Sequence, residues 1–482
     1  MHHISSDDKS KKAAIRFSIY GVLGVILVGL TIISVLAAQG FDYDPQTGEV
    51  IKNGLIFVDS KPVSAEISVN NVAENDRTPG RLPLPNGEYE IELSANKYRQ
   101  WKRTVTVEAQ NVLRVDYAVL VPEEVVITET EKYDDLILTE QNPVNGQILI
   151  LKEFSPLNFD VFESDKPQES PRQLILPNNV ARDVSNKSKF KFIGWSSDGE
   201  KALLEHSRGA SLADFILVDT KNGQESLNVE DALDFDIDYA QFEEGDGQKL
   251  IVRAKDKLRQ ADMEQFIISA PIATNVNDFV QSDGGIVYTE LLSDSTRINF
   301  LQNDLKTEVK SYPSAKRGIK LVPGEFENEP TLTIWNKQNN QVELYVDPYS
   351  RAKEGKSLSP EISLKQPRIN DVQLSANSRM IMIRNGVKIF VYDQEYDDLH
   401  SFNLGIPRSS LEHFRWIDGA RFIYADGKAI SVVDFEGSNR YELAKADSTH
   451  APFFGKDFKF LLFTQTENKA QTLKAANMVV DN

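Results

Sequence analysis

The sequence contains no cysteine among its 482 residues. This excludes disulfide bonds and thiolate metal sites, although it leaves the compartment open. An excess of basic residues is also missing, since the formal net charge is −18. Binding DNA or RNA requires a cationic face that neutralises phosphates, so we expect no nucleic-acid partner. The 40% hydrophobic and 26% charged residues are typical of globular domains with packed cores.

Common catalytic signatures are absent as well. The sequence contains no HExxH, no GxSxG and no P-loop. The run SKFK (Ser188–Lys191) matches the SxxK motif of serine penicillin-binding enzymes, but the companion SDN and KTG motifs are missing. Two of the six histidines lie at the N-terminus, and we expect His206 and His413 to be solvated at strand ends. We therefore predict no catalytic residue and no cofactor.

Charge is absent from one long segment near the N-terminus. Residues 17–38 form 22 consecutive uncharged positions, long enough as a helix to cross a 30 Å hydrocarbon core. Lysine and arginine precede this segment and acidic residues follow it. The positive-inside rule then predicts a cytoplasmic tail at 1–16, a transmembrane helix at 17–38 that contacts the lipid bilayer, and an extracytoplasmic remainder.

A cleaved signal peptide is the alternative for this segment. The small residues Val35, Ala37 and Ala38 would suit a signal peptidase. Signal h-regions span only about 7 to 15 residues, so the longer segment favours an uncleaved anchor.

A polar linker is predicted at 39–53. Its acidic residues Asp42, Asp44 and Glu49 lack the alternating ligands and central glycine of an EF-hand calcium loop. We interpret them as a solvated connector.

A small antiparallel β-sandwich is predicted at 54–121. Four short β-rich runs, three of them alternating in polarity, are separated by proline and asparagine. The pair Asn86-Gly87 suits a tight turn. The runs are LIFV (Leu55–Val58), AEISV (Ala65–Val69), YEIEL (Tyr89–Leu93) and TVTVE (Thr104–Glu108).

This segment resembles the PEGA domain family over about 65 residues. The matching positions are Ser60, Pro62, Ala65, Thr78, Pro79, Leu82, Leu84, Pro85, Gly87, Tyr89, Tyr98 and Trp101. The sequence departs from the family pattern at Ser64 and at Asn96-Lys97, where glycine is usual. The resemblance implies an extracellular module of surface and envelope proteins, with a binding or spacing role and no catalytic residues.

Two aromatic residues of this segment are candidate binding residues. The rings of Tyr98 and Trp101 would suit stacking on a sugar. The alternative is that both rings pack in the sandwich core, as aromatic residues commonly do.

Residues 122–136 are predicted to be a hinge, because Pro122 and acidic clusters mark a boundary. Beyond it, a turn between an apolar residue and an apolar strand recurs, with a spacing of 47 residues from Trp195 to Phe242 and 42 from Leu374 to Trp416. This is the period of a β-propeller blade. Over 137–482 it predicts seven or eight blades, with a pair of β-sandwiches as the alternative fold.

The best-formed turn is WSSDG, at Trp195 to Gly199, and we expect Trp195 to pack between neighbouring sheets. It resembles the Trp-Ser-Pro-Asp-Gly turn of TolB-type propellers with WD-like repeats, with Ser197 in place of proline. The repeats near 137–178, 283–312 and 318–366 are faint. The fold class predicted for the chain is therefore all-β after a single transmembrane helix.

A set of alternating carboxylates is the candidate metal site. Asp234, Asp236 and Asp238 alternate with apolar residues, so on a strand they would share one face, about 6.6 Å apart. Calcium accepts several oxygen ligands, but one straight strand does not bring all three to a single ion. We interpret the set as an acidic edge that discourages aggregation.

These observations predict a non-catalytic, membrane-anchored envelope protein. Its propeller would bind an envelope protein, a peptide or a cell-wall glycan through its loops. The alternative is a propeller-type hydrolase that acts on glycans through two carboxylates about 5 to 10 Å apart.

Overall fold

The computed structural model describes residues 6–38, 41–43, 50–134, 136–185, 187–209, 213–313, 318–446, 450–455, 458–467 and 470–480. The chain divides into two compact units, Met1–Glu123 and Glu124–Asn482. Several positions of the predicted segments lie outside the described residues: His2 and His3 of the tail, Asp44 and Glu49 of the linker, and Asp135 of the hinge.

The first unit begins with the helix α1, Ser6–Ala38. Its stretch Phe17–Val35 is long and apolar enough to cross a membrane, and none of it is buried in the protein. The predicted apolar helix is therefore confirmed. An exposed apolar helix near an N-terminus fits a membrane anchor or a signal sequence.

The predicted β-sandwich follows this helix. One sheet has the order β1-β2-β5, with β8 also paired to β2, and the other has the order β4-β3-β6-β7. The strands are β1 Phe41–Tyr43, β2 Val50–Lys61, β3 Glu66–Val69, β4 Val72–Arg77, β5 Gly80–Pro85, β6 Gly87–Ser94, β7 Trp101–Val107 and β8 Val112–Val119.

Two details of the sandwich differ from the sequence-based expectation. The pair β2 and β8 is parallel, so the sandwich is not purely antiparallel. Asn86-Gly87 does not form a hairpin turn, because β5 and β6 belong to different sheets. The bend at Asn86 instead carries the chain from one sheet to the other.

Residues that carry the PEGA resemblance meet inside the sandwich. The hydroxyl of Thr78 accepts a hydrogen bond from the Ala65 amide at 2.9 Å and lies 2.7 Å from the Ser60 hydroxyl. Ser60 in turn donates to the Pro62 carbonyl at 2.7 Å. Because buried polar groups need partners, this network explains why these positions carry small polar residues.

The two departures from the family pattern have a common conformation. Ser64 has φ 67° and Lys97 has φ 64°, both in the left-handed region that glycine adopts most easily. The usual glycines at these positions therefore serve the backbone turn. This chain keeps the turn with side chains present.

The second unit consists of antiparallel four-stranded sheets, eight of them in the described part of the chain. We call them blades 1 to 8. The strands of the first four blades are β10 Leu138–Gln141, β11 Gln147–Phe154, β12 Leu157–Glu163, β13 Arg172–Ile175, β14 Lys189–Trp195, β15 Lys201–Ser207, β16 Ala213–Asp219, β17 Leu227–Asn228, β18 Tyr239–Glu243, β19 Asp246–Ala254, β20 Lys257–Asp262, β21 Ile267–Ile268, β22 Val276–Ser282, β23 Gly285–Leu291, β24 Ser295–Gln302 and β25 Leu305–Pro313.

The last four blades follow the same order, except that blade 8 takes one strand from the start of the unit. Blade 8 has the order β38-β39-β40-β9, where β9 is Val126–Tyr133. The other strands are β26 Ile319–Phe326, β27 Glu329–Asn336, β28 Gln341–Val346, β29 Ile362–Lys365, β30 Asp371–Leu374, β31 Met380–Asn385, β32 Lys388–Asp393, β33 Asp398–Asn403, β34 Glu412–Trp416, β35 Arg421–Ala425, β36 Ala429–Asp434, β37 Tyr441–Lys445, β38 Phe453–Phe454, β39 Phe460–Glu467 and β40 Ala470–Asn477.

Short helices lie between some of these strands. They are α2 Val229–Leu233 and α3 Pro348–Lys353, together with single 3-10 turns at Gly223–Glu225 and Arg408–Ser410.

The blades form a closed ring. Apolar clusters lie between neighbouring blades, for example between blades 1 and 2 and between blades 4 and 5. A further cluster joins blade 8 to blade 1, where Tyr133 and Leu473 pack with Phe162. The structure is therefore an eight-bladed propeller, and the alternative of paired sandwiches is wrong. A single sheet cannot bury both of its faces, whereas a ring of stacked sheets can.

The predicted hinge at 122–136 needs correction. Residues Val126–Tyr133 are paired with β40, from Asn477 opposite Val126 to Gln471 opposite Tyr133. The acidic and threonine residues that resembled a linker lie on an exposed outer strand. Strand β9 closes the ring, so the boundary between the two units lies before it.

The turn that follows Trp195 has the predicted geometry. The carboxylate of Asp198 accepts hydrogen bonds from the Ser196 hydroxyl at 2.6 Å and from the Glu200 amide at 2.9 Å, and Gly199 has φ 71°. The indole of Trp195 packs against the cluster between blades 1 and 2. The prediction that Trp195 packs between sheets is thus confirmed.

Candidate functional site

The two aromatic candidates of the sandwich are buried. Tyr98 is 9% exposed and Trp101 is 1% exposed, with the Trp101 ring edge-on to Tyr117 at 6.0 Å. Neither ring presents a face to a sugar. The interpretation of Tyr98 and Trp101 as core residues fits these values, and their candidate role in sugar binding is corrected.

The carboxylates of the candidate metal site do not lie on a strand. Asp234 is the C-cap of α2 with φ 47°, and β18 begins only at Tyr239. All three side chains are exposed, and Asp238 accepts a hydrogen bond from the Lys255 amide. Among the residues that the structure describes, no three His, Asp or Glu side chains converge as a metal site requires.

The SxxK match does not place its two residues together. Ser188 precedes β14 and is buried, whereas Lys191 is exposed on β14 and lies 3.7 Å from Glu205. Successive residues of an extended chain point to opposite faces, so residues three apart diverge. The match arises by chance, as the missing companion motifs indicated.

Ser188 instead belongs to a buried polar cluster at one end of blade 2. Its hydroxyl lies 2.9 Å from Nε2 of His206, and Nδ1 of His206 lies 3.2 Å from Oδ1 of Asp214. His206 and Asp214 are both 0% exposed. The expectation of a solvated His206 is therefore wrong, while His413 is half-buried on β34.

Further groups surround this cluster. The Arg208 guanidinium lies 3.2 Å from Asp214, and the Asn228 amide donates to the other Asp214 oxygen at 2.8 Å. The Phe190 ring stacks on the His206 imidazole at 4.6 Å. Buried Glu230 lies beside them, and desolvation raises the pKa of its carboxyl to about 7.

The order serine, histidine, aspartate is that of a hydrolase triad, but its surroundings differ. A nucleophile needs contact with its substrate. Here Ser188 is 9% exposed and accepts a hydrogen bond from the Ser185 amide at 3.0 Å. The cluster ties the chain entering blade 2 to β15 and β16.

Three carboxylates on the first strands of blades 1, 4 and 6 lie near cations. Burial raises the pKa of Glu140, and Arg415 opposes that rise. Burial likewise raises the pKa of Asp278, opposed by Arg253 among others. Asp371 lies 3.6 Å from Lys320. None of these contacts pairs one carboxylate with another as a glycosidase does.

A cavity of about 300 Å³ opens at the rim of the propeller where blade 2 meets blade 3. Half of its lining is apolar: Val180, Leu227, Ala232 and Phe266. The other half is polar: Asn179, Ser226, Asn228 and Asp231. Pockets of this size with a few polar groups on an apolar wall are typical of small-ligand sites.

The buried cluster supports one wall of the cavity. The Asn228 amide donates to Asp214 and to the Val180 carbonyl at 3.1 Å, and its oxygen accepts from the Asp231 amide at 3.0 Å. These three bonds fix the Asn228 side chain. The wall is therefore preorganised, which lowers the entropic cost of binding.

Phe266 also lines the cavity. Its side chain is 50% exposed, and its φ of 55° is unusual for a bulky residue. The sequence did not indicate this residue, because the cavity joins segments that lie far apart in the chain. An exposed phenylalanine beside a turn was the one available signal.

Comparison with known families supports the sequence-based resemblance. Residues 53–122 match the model of the PEGA domain. This range agrees with the predicted 54–121 and lies within the first unit. No curated protein is similar enough in sequence to count as a relative of this chain.

The solved structures that match this chain are distant from it in sequence. An oligogalacturonate lyase in complex with manganese is 10% identical, with a TM-score of 0.41, over 74% of this chain and 98% of its own. Dipeptidyl peptidase 4 of Porphyromonas gingivalis is 10% identical, with a TM-score of 0.48, over 70% of this chain and 56% of its own. PorZ, a surface component of the type-IX secretion system of the same organism, is 12% identical, with a TM-score of 0.36, over 71% of this chain and 43% of its own. Scores this low carry no argument about function, and the propeller assignment rests on the strand pairing itself.

Proposed function

We propose that this chain is a single-pass envelope protein that presents a binding propeller outside the cytoplasmic membrane and catalyses no reaction. Residues 1–16 would stay in the cytoplasm and residues 17–38 would cross the bilayer. The PEGA module and the propeller would lie outside. The partner would be an envelope protein or a cell-wall glycan.

One observation carries this proposal: an exposed apolar helix comes shortly before a PEGA match. The apolar stretch Phe17–Val35 has no protein surface to cover it, and the match begins at residue 53. Extracellular modules of this type occur in surface proteins. A helix that inserts in lipid and a module suited to the exterior together favour a tethered, exported propeller.

The contacts of three carboxylates on the first strands of blades 1, 4 and 6 favour binding over catalysis. The glycan hydrolase alternative needs two carboxylates about 5 to 10 Å apart around a sugar. Glu140, Asp278 and Asp371 each interact with a cation instead. A rigid ring that carries a preformed cavity suits recognition by loops.

Protease accessibility tests this proposal. An epitope tag is placed at each end of the full chain, and protease is added to spheroplasts. We expect the C-terminal tag to be lost and the N-terminal tag to persist on a short membrane-bound fragment. Permeabilised spheroplasts, in which both tags should disappear, provide the control.

Two results would contradict the proposal. Survival of the C-terminal tag in intact spheroplasts would place the propeller in the cytoplasm. A mature N-terminus near Ala38 would show that the helix is a signal peptide and that the chain is released.

A further inference from the structure

We infer that the cavity between blades 2 and 3 binds a neutral sugar residue of a glycan; this identifies the ligand class of the proposed binding function and rests on it. The inference comes from the shape, the hydrogen-bonding capacity and the charge of the cavity.

The aromatic wall suits one face of a sugar ring. Phe266 exposes half of its side chain at the cavity, and its backbone is held in the left-handed region. The turn between β20 and β21 sets this conformation, which fixes where the Phe266 side chain leaves the backbone. The C–H face of a pyranose packs well on such a ring, since an aromatic face carries partial negative charge.

The polar wall offers both donors and acceptors. Among the described residues, no hydrogen bond engages the side chain of Asn179, so its amide is available to donate and to accept. The Ser226 hydroxyl accepts from the Asp219 amide at 3.0 Å and keeps its own proton to donate. Sugar hydroxyls both donate and accept, which matches this mixture.

The charge of the cavity selects an uncharged ligand. Asp231 is the one lining residue with a charge, and its Oδ1 is bound by the Arg182 guanidinium. An acidic sugar or a phosphate would meet the Asp231 carboxylate and no lining cation. A cationic ligand would have to compete with Arg182. A neutral ligand avoids both costs.

An extended peptide fits this site less well. Peptides that bind to a sheet edge need a row of free main-chain groups. The edge at the cavity is β17, which has two residues, and its second residue, Asn228, is already the N-cap of α2. The strand therefore gives no ladder for a peptide to extend.

The test uses the full chain, purified in a detergent without a sugar headgroup, and isothermal titration calorimetry. Cellotriose and N,N′,N″-triacetylchitotriose serve as neutral probes, trigalacturonate as an acidic probe, and a trilysine peptide as a cationic probe. We expect at least one neutral trisaccharide to bind and the charged probes not to bind. Phe266→Ala should weaken that binding about tenfold, the scale of one aromatic contact.

Matched variants separate the cavity from the rest of the surface. Phe266→Tyr keeps the ring and should bind within about twofold of the unaltered chain. Leu305→Ala removes another exposed apolar side chain, on blade 4, and should leave binding unchanged. Asn179→Ala should weaken binding without lowering the melting temperature, because Asn179 is exposed.

The inference is overturned if neither neutral probe binds, if the peptide binds instead, or if Phe266→Ala leaves the affinity unchanged. Its failure is distinguishable from failure of the proposed function. An exported propeller that ignores both trisaccharides would remove the sugar site alone. Protection of the C-terminal tag in spheroplasts would remove the proposed function.

Discussion

The indole Nε1 of Trp195 donates a hydrogen bond to the carbonyl of Gln141, 3.0 Å away on the neighbouring blade. The same ring fills the apolar cluster between blades 1 and 2. Trp195→Ala should therefore lower the free energy of unfolding by about 3 kcal/mol, as large-to-small core substitutions do. Chemical denaturation followed by circular dichroism measures this change.

Trp195→Phe separates the two contributions. It keeps most of the packing and removes the hydrogen bond to the Gln141 carbonyl, so the expected loss is about 1 kcal/mol. If the alanine variant unfolded at the same denaturant concentration as the unaltered chain, Trp195 would not support the interface between these blades.

Two glycine substitutions should stabilise the sandwich. Ser64 and Lys97 both have left-handed backbones, which cost side-chain-bearing residues about 1 to 2 kcal/mol. Glycine removes this cost and partly offsets the gain by making the unfolded chain more flexible. We expect Ser64→Gly and Lys97→Gly each to raise the free energy of unfolding by about 0.5 to 1 kcal/mol.

A serine within a strand provides the control for this comparison. Ser68 lies within β3, where glycine weakens a strand, so Ser68→Gly should lower stability by about 1 kcal/mol. Differential scanning calorimetry on the full chain resolves the sandwich transition. A destabilised Ser64→Gly variant would show that the Ser64 side chain contributes more than its backbone costs.

Stability should depend on pH through Glu230. Burial raises the pKa of its carboxyl from 4.5 to about 7, so the folded chain holds a proton that the unfolded chain has released between these pH values. The free energy of unfolding therefore falls as pH rises from 4.5 to about 7, by about 3 kcal/mol at most. Glu230→Gln should flatten this dependence and stabilise the chain at pH 8.

Denaturation midpoints measured from pH 4.5 to pH 8 test the role of Glu230. Glu225→Gln, which changes an exposed acid in the 3-10 turn before β17, should leave the dependence as it is. A Glu230→Gln variant with the slope of the unaltered chain would assign the pH dependence to other groups.

Removal of β9 should open the ring. A fragment that begins at Glu124 retains the whole second unit, whereas one that begins at Asp134 leaves β40 without its outer partner. The longer fragment should melt cooperatively. The shorter one should lose more stability than Trp195→Ala does, because Tyr133 and a whole ladder are lost. Equal melting of the two fragments would show that β9 is dispensable.

Local chemistry explains which parts of the fold the sequence predicted. The turn after Trp195 could be predicted because it needs Asp198 for its hydrogen bonds and Gly199 for its left-handed backbone. Both residues lie within one five-residue motif. The blade 5 turn was faint because Glu327 and Asn328 adopt the left-handed backbone without any glycine. Its strands pair as regularly as the others, and that pairing depends on contacts that no short window contains.

The candidate site could not be predicted from short stretches of the sequence, for a related reason. Asp234 alternates with apolar neighbours as on a strand, yet it caps a five-residue helix. Ser188, His206 and Asp214 come from three segments that only strand pairing brings together. Phe266 of blade 3 and Asn228 of blade 2 line one cavity. Each arrangement depends on the ring, and the ring is a property of the whole unit.

The pairing of β9 with β40 joins Thr128 to Ala475, 347 positions apart. A chain made from its N-terminus therefore releases its first propeller strand long before the partner of that strand exists. Contacts so distant in sequence close slowly, and every truncated product lacks the final strands. Closure of the ring therefore depends on complete synthesis: until β40 is made, β9 lacks its paired strand and Tyr133 lacks Leu473 of its apolar cluster.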